Sequence, residues 1–140
     1  MKVVRFESSP TTMKNKEIEQ IVDKVCLQLT KEFGNIPPIE VHNNIYERLS
    51  GIVGMTGTSC AQGEYDWDNN KIYLYSSRLF DEETVIRTIL HELTHSTQPR
   101  SLFEEIYKAG IGYDKHPFEM EAREAEKQWI KYKLNTNEIG

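Results

Sequence analysis

The chain is poor in the features that mark several protein classes. Among its 140 residues are only two cysteines, Cys26 and Cys60, which lie far apart and form no CxxC pair. That scarcity favours a buried thiol at each position over a disulfide or a zinc ligand. No apolar run approaches the ~20 residues needed to cross a bilayer. The N-terminal MKVVRFESSPTT has no hydrophobic stretch of the secretory kind. A cytoplasmic protein with no membrane partner is the expectation. Lysine and arginine number 17 against 22 acidic residues, for a net charge of −5, and no basic cluster stands out. Nucleic acid is therefore not an expected partner. The glycines at 51, 54 and 57 are followed by no Lys-Ser/Thr pair, which excludes a phosphate loop. There is no internal repeat and no low-complexity tract.

What is present is the balance of a globular domain, 38% hydrophobic and 28% charged. The length suits one domain, placed over residues 1–134, with 135–140 as a frayed tail. Residues 1–10 read as a short strand or arm ending at Pro10. From Met13 to Phe33, Ile18, Ile21, Val22, Val25, Cys26, Leu29 and Phe33 fall at helical spacing, and Gly34 with Pro37 and Pro38 closes the segment. Ile39–Val41 reads as a short strand. Residues 51–67 mix β-formers with glycines, as a bent strand does. Asp68-Asn69-Asn70 is a turn signal, and Lys71–Tyr75 is the clearest strand. Asp81 is a helix cap followed by Glu82 and Glu83, and Val85, Ile86, Ile89, Leu90 and Leu93 form one apolar stripe that Pro99 ends just past Gln98. A short helix is expected over Leu102–Lys108, then a break at Gly110-Ile111-Gly112. Pro117 opens a last helix with Phe118, Ala122, Ala125 and Trp129 on one face. The expected fold is α+β: an N-terminal helix, a small, mainly antiparallel sheet, and two further helices.

The first of those two helices carries HELTH, residues 91–95. Positions four apart on a helix differ by about 40°, so His91 and His95 stack on one face together with Thr84 and Thr88, opposite the apolar stripe. Their ring nitrogens are able to converge on one ion. Glu92 lies about 100° from His91, beside the pair, where it can reach a metal-activated water without being a ligand. Zn²⁺ lowers the pKa of bound water to about 7, and a neighbouring carboxylate accepts its proton during attack on a carbonyl. The competing reading is a solvated polar face with two unremarkable histidines. A catalytic zinc site also needs a third protein ligand. Six residues past His95 stands Ser101, not the histidine of a metzincin. The remaining candidates are Asp114, His116, Glu119 and Glu121.

HELTH followed some two dozen residues later by Glu119-x-x-Ala122 resembles the gluzincin branch of the zincin metallopeptidases, small ImmA/IrrE-like and ArdC-peptidase-like domains in particular. The segments Gly63-Glu64-Tyr65 and Ile72-Tyr73-Leu74, on either side of a polar turn, are similar to the hairpin of many small zincins. The resemblance covers about residues 60 to 126. It implies a minimal zincin-like domain with Zn²⁺ held by His91, His95 and Glu119, with Glu121 and His116 as the alternative third ligands, Glu92 as general base, and a protein or peptide substrate. It also implies an acid or amide after the alanine to orient a ligating histidine, and this chain has Arg123, which cannot accept that hydrogen bond. Glu119 and Glu121 lie about 200° apart on a helix, so only one of them faces the ion. Donors for the developing oxyanion are sought in Tyr113, His116 and Arg123, with Tyr113 carried forward as the catalytic candidate. The expected function is zinc-dependent peptide hydrolysis. The alternatives are a zincin-fold binding or regulatory module with a structural or vestigial metal site, and a small-molecule metallohydrolase.

Overall fold

In the computed structural model, which describes residues 13–52, 54, 61–111 and 115–133, the first helix, α1, spans Asn15–Phe33. Its start is fixed locally: the backbone N–H of Lys14 donates to Glu17 Oε1 at 3.1 Å, which satisfies one of the orphan donors of a helix N-terminus. Its end is Gly34, whose φ of 81° lies in the region that glycine alone enters without strain. The buried face is Ile18, Ile21, Val22, Val25 and Leu29, the helical stripe expected from the spacing.

After α1 come β1 (Ile39–His42), α2 (Ile45–Ser50), β2 (Gly63–Asp66), β3 (Lys71–Tyr75), a 3₁₀ turn (Ser76–Arg78), α3 (Glu82–Ser96), α4 (Arg100–Lys108), α5 (Pro117–Glu126) and α6 (Trp129–Tyr132). The fold is α+β, with a three-stranded sheet in the order β1-β3-β2. β2 and β3 form the expected antiparallel hairpin, with Gly63 opposite Leu74 and Tyr65 opposite Ile72. Its turn is closed by Asp66 Oδ1, which accepts from the backbone N–H groups of Asp68 at 2.9 Å and Asn69 at 3.2 Å, and by Asn70 at φ 53°. β1, however, runs parallel to β3, pairing Ile39 with Ile72 and Val41 with Leu74. The sheet is mixed rather than mainly antiparallel. A four-residue strand carries no directional signal in its own sequence.

The core lies between that sheet and the α1–α3 pair. Ile18, Val25, Leu29, Ile72, Leu74, Val85, Ile86 and Ile89 are all fully buried there. Burial of such side chains is worth about 1.5–3 kcal/mol each, which makes this the main source of stability. On α3, Asp81 caps as expected, Oδ1 accepting from the N–H of Thr84 at 2.8 Å.

Three elements differ from expectation. The six-residue α2 is too short to show a helical period, yet it carries local marks: Asn44 Oδ1 accepts from the N–H of Glu47 at 2.9 Å, and Gly51 ends it at φ 73°. The bent strand expected over 51–67 is realised only at 63–66, and part of that range lies outside the described residues. The last helix breaks after Glu126, because a turn at Lys127 and Gln128 lets α6 swing Tyr132 into the core. There its hydroxyl donates to Glu32.

Gly63 is where the sheet meets α3 most closely. A Cβ at this position would sit 2.7 Å from both Thr88 Cγ2 and the carbonyl oxygen of Tyr73. Only glycine lets the edge strand lie this near the polar face of α3. The arm over 1–10, Cys60, Asp114 and the tail 135–140 lie outside the described residues. Cys26 is half-buried, and burial, reinforced by the charge of Asp23, pushes its thiol up to about 11. No described helix is long and apolar enough to cross a membrane.

Candidate metal centre

α3 carries two faces that are buried for different reasons. One is the apolar stripe against the sheet. The other, Thr88, His91, Glu92 and His95, lies toward the start of β2 and α5, on which Glu119 and Ala122 are the buried residues. Ala122, with no accessible surface, keeps α5 close enough for the longer side chains on either side of it to reach across.

Glu119 Oε1 lies 2.9 Å from His91 Nε2 and 2.8 Å from His95 Nε2. Two imidazole nitrogens and one carboxylate oxygen thus converge, all within 4.8 Å of one another. The donor set, two nitrogens and one oxygen, is one that zinc accepts. To reach zinc-ligand distances around an ion, each nitrogen–oxygen pair would have to part by only about 0.4 Å. Among the described residues this is the one group of three or more His, Cys, Asp or Glu side chains with such convergence.

The other sequence candidates are placed elsewhere. Glu121 is exposed, and its Oε1 accepts from Gln98 Nε2 at 2.6 Å. His116 is fully buried as the cap of α5: Nδ1 accepts from the N–H of Phe118 at 3.1 Å, and Nε2 donates to the carbonyl of Phe103 at 2.9 Å. With both nitrogens engaged and its ring stacked 4.2 Å from that of Phe103, it pins α4 to α5 and is not part of the histidine pair. Tyr113 lies outside the described residues. Arg123 is half-buried on α5 and, as a guanidinium, offers the histidines no acceptor.

The outer nitrogens of both imidazoles are engaged by residues that the sequence reading missed. His91 Nδ1 is 2.7 Å from Glu126 Oε2. His95 Nδ1 is 2.7 Å from Gln98 Oε1. Gln98 is buried, and its amide nitrogen donates to the carbonyl of Phe118 at 3.1 Å as well as to Glu121. Those two acceptors fix which end of the amide faces His95, so Nδ1 donates to Gln98 Oε1 and Nε2 is the nitrogen turned toward Glu119 Oε1. Gln98 had a local signal, three residues past His95 at the helix end. Glu126 had only its spacing of seven from Glu119, two turns along the same face.

Electrostatics follow from this enclosure. Burial alone would lower the pKa of His91, but its bonds to Glu119 and Glu126, with the nearby charge of Glu92, outweigh that and raise it to about 10 in the metal-free protein. His95 moves in the same direction against its own burial, through Glu119 and Gln98. Glu92 is 8% exposed, and burial pushes its carboxyl up to about 7, partly opposed by His91 and His95. No side-chain hydrogen bond joins its carboxylate to another described residue.

The two sides of the site are unlike. Behind His95 stand Trp67 and Phe103, their ring centroids 6.2 and 5.5 Å from its own, and Trp67 Nε1 donates to the carbonyl of Gln98 at 3.4 Å. In front of His91 opens a cleft of about 290 Å³ lined by Ala61, Gln62, Gly63, Thr88, His91, Glu92 and Glu126. A larger cavity, about 710 Å³, lies around Leu90, Leu93 and Tyr132 on the far side of α3 and includes none of the converging groups. A scan of family models and searches of curated proteins and of solved structures found no match to this chain.

Proposed function

We propose that the protein is a zinc-dependent metallopeptidase in which His91, His95 and Glu119 hold the ion and Glu92 acts as general base. The observation that carries this reading is the closure of Glu119 Oε1 on both Nε2 atoms, with the carboxyl of Glu92 buried in the adjoining cleft. When bound, zinc would supply Lewis acidity to the scissile carbonyl and lower the pKa of water in the site. The proton work falls to Glu92. A carboxyl raised to about 7 by burial is a stronger base than an exposed one, and it is suited to accept a proton from water and return it to the leaving amine.

A peptide substrate is supported by the position of β2. Among the described strands it pairs with β3 alone, and Gly63 at its start also lines the cleft. An extended chain adding to that edge would run past the converging groups. The resemblance to gluzincins, on HELTH and Glu119-x-x-Ala122, supports the same class.

The test uses zinc-loaded protein and a mixed peptide library read by mass spectrometry. The wild type is expected to cleave, and Glu92→Gln to keep its zinc while cleaving about 10²–10⁴-fold more slowly. Zinc retained with no Glu92-dependent cleavage would instead assign a binding or regulatory module on the same fold.

A further inference from the structure

We infer that Glu126 is the positioning residue of this site, the carboxylate that orients His91 from the end of the ligand helix in place of the position occupied by Arg123. The inference rests on the metal-site reading above and deepens it.

The geometry is specific. α3 and α5 run antiparallel, since Glu119 meets both histidines while Glu126, further along α5, meets only His91, the earlier of the two. Residues 119 and 126 are two turns apart and within about 20° of each other around the helix. One imidazole is thereby held at both ends by a single helix: Nε2 toward Glu119 and Nδ1 toward Glu126. An acidic side chain at 123 would sit between these two levels, one turn from each. Arg123 leaves that middle level without an acceptor, and Glu126 provides one a turn later.

Glu126 is in turn held in place from α3. Its other oxygen, Oε1, lies 3.8 Å from an Nη of Arg87, whose Nε donates to Glu83 Oε2 at 2.7 Å. Arg87 stands one turn before His91 on α3, so the carboxylate is bracketed by two residues of the helix that bears the ligands. His95, by contrast, is held by the neutral amide of Gln98. The two ligands therefore differ in the charge behind them. An imidazole backed by a carboxylate is the more basic donor, which makes His91 the stronger of the two toward a cation. Since α5 ends at Glu126, this contact also ties the last turn of the ligand helix to the metal site.

The experiment measures zinc affinity by competition with a chromophoric chelator for the wild type, Glu126→Gln and Glu126→Ala. In parallel, ¹⁵N–¹H imidazole spectra follow the Nδ1 proton of His91 in the zinc-loaded forms. Glu126→Ala is expected to bind zinc about 10- to 100-fold more weakly and Glu126→Gln, which keeps an acceptor, by less. The slowly exchanging Nδ1 proton should persist in the wild type and in Glu126→Gln and be lost in Glu126→Ala. A merely structural role at the helix end would lower the unfolding midpoint of the metal-free protein and leave that proton unchanged. Affinity of Glu126→Ala within about twofold of the wild type would overturn the inference while leaving the metal reading intact. A wild type that binds no zinc would remove the metal reading, and this inference with it.

Discussion

The two faces of α3 are buried to nearly the same degree and are not alike in what burial does. Val85, Ile86 and Ile89 have no accessible surface; on the other side Thr88, Glu92 and His95 retain 5%, 8% and 6%. Burying the first set is favourable in itself. Burying the second is unfavourable unless each polar atom finds a partner. Around the histidines those partners are supplied in full by Glu119, Glu126 and Gln98. The carboxyl of Glu92 lines the adjoining cleft, and burial raises its pKa to about 7. A fold selected only for stability would fill this face with apolar side chains. Single substitutions on each face should separate a contribution to stability from the proposed role in a metal site.

The largest effect is expected on the polar face and in activity alone. On the proposed function, Glu92→Gln should lower the peptide hydrolysis rate about 10²–10⁴-fold, while a urea titration should find the variant no less stable than the wild type. On the apolar face, Ile89→Ala should destabilise the protein by about 2–5 kcal/mol, measured as a lower urea midpoint, with zinc affinity preserved in whatever fraction remains folded. Gly63→Ala tests the seam where the sheet approaches the polar face. Its Cβ would meet Thr88 Cγ2 and a β3 carbonyl, each at 2.7 Å. A cost of about 1–3 kcal/mol is expected, together with reduced activity, because the cleft wall must shift.

The pH dependence of the metal-free protein probes the polar face without any substitution. Folding raises the pKa of His91 from 6.5 to about 10, so its contribution is complete below about 6.5 and disappears as pH rises through 10. Folding also raises the pKa of Glu92 from 4.5 to about 7. The folded state thus favours the protonated carboxyl, and that stability is complete below about 4.5 and lost as pH rises through 7. Both groups act in one direction, and His95 adds to it. The urea midpoint of zinc-free protein should therefore fall steadily from about pH 5 to pH 10. A midpoint that rises over that interval would contradict the electrostatics described for the polar face.

Much of this was legible in the chain, for identifiable reasons. α3 announces itself through Asp81, the i, i+3, i+4 stripe and Pro99, and helical geometry alone places His91 and His95 together. The hairpin is marked by Asp68-Asn69-Asn70. The third converging group was not fixed by the residues, because Glu119 and Glu121 flank the same apolar stripe of α5, and the packing of α5 against α3 decides which one turns inward. Nor could periodicity reveal that Glu126, 35 residues beyond His91, would reach its Nδ1. The parallel pairing of β1 and the break before α6 are likewise tertiary outcomes. Each depends on where a short element finds buried surface, which no local pattern records.

The central claim is that the polar face of α3 and Glu119 of α5 form one metal site. Zinc stoichiometry by elemental analysis after dialysis tests it most directly, on the wild type, Glu119→Ala and Glu121→Ala. The account predicts one zinc per chain in the wild type and in Glu121→Ala, and none retained in Glu119→Ala. A wild type without zinc, or a Glu119→Ala variant that keeps it, would contradict the claim.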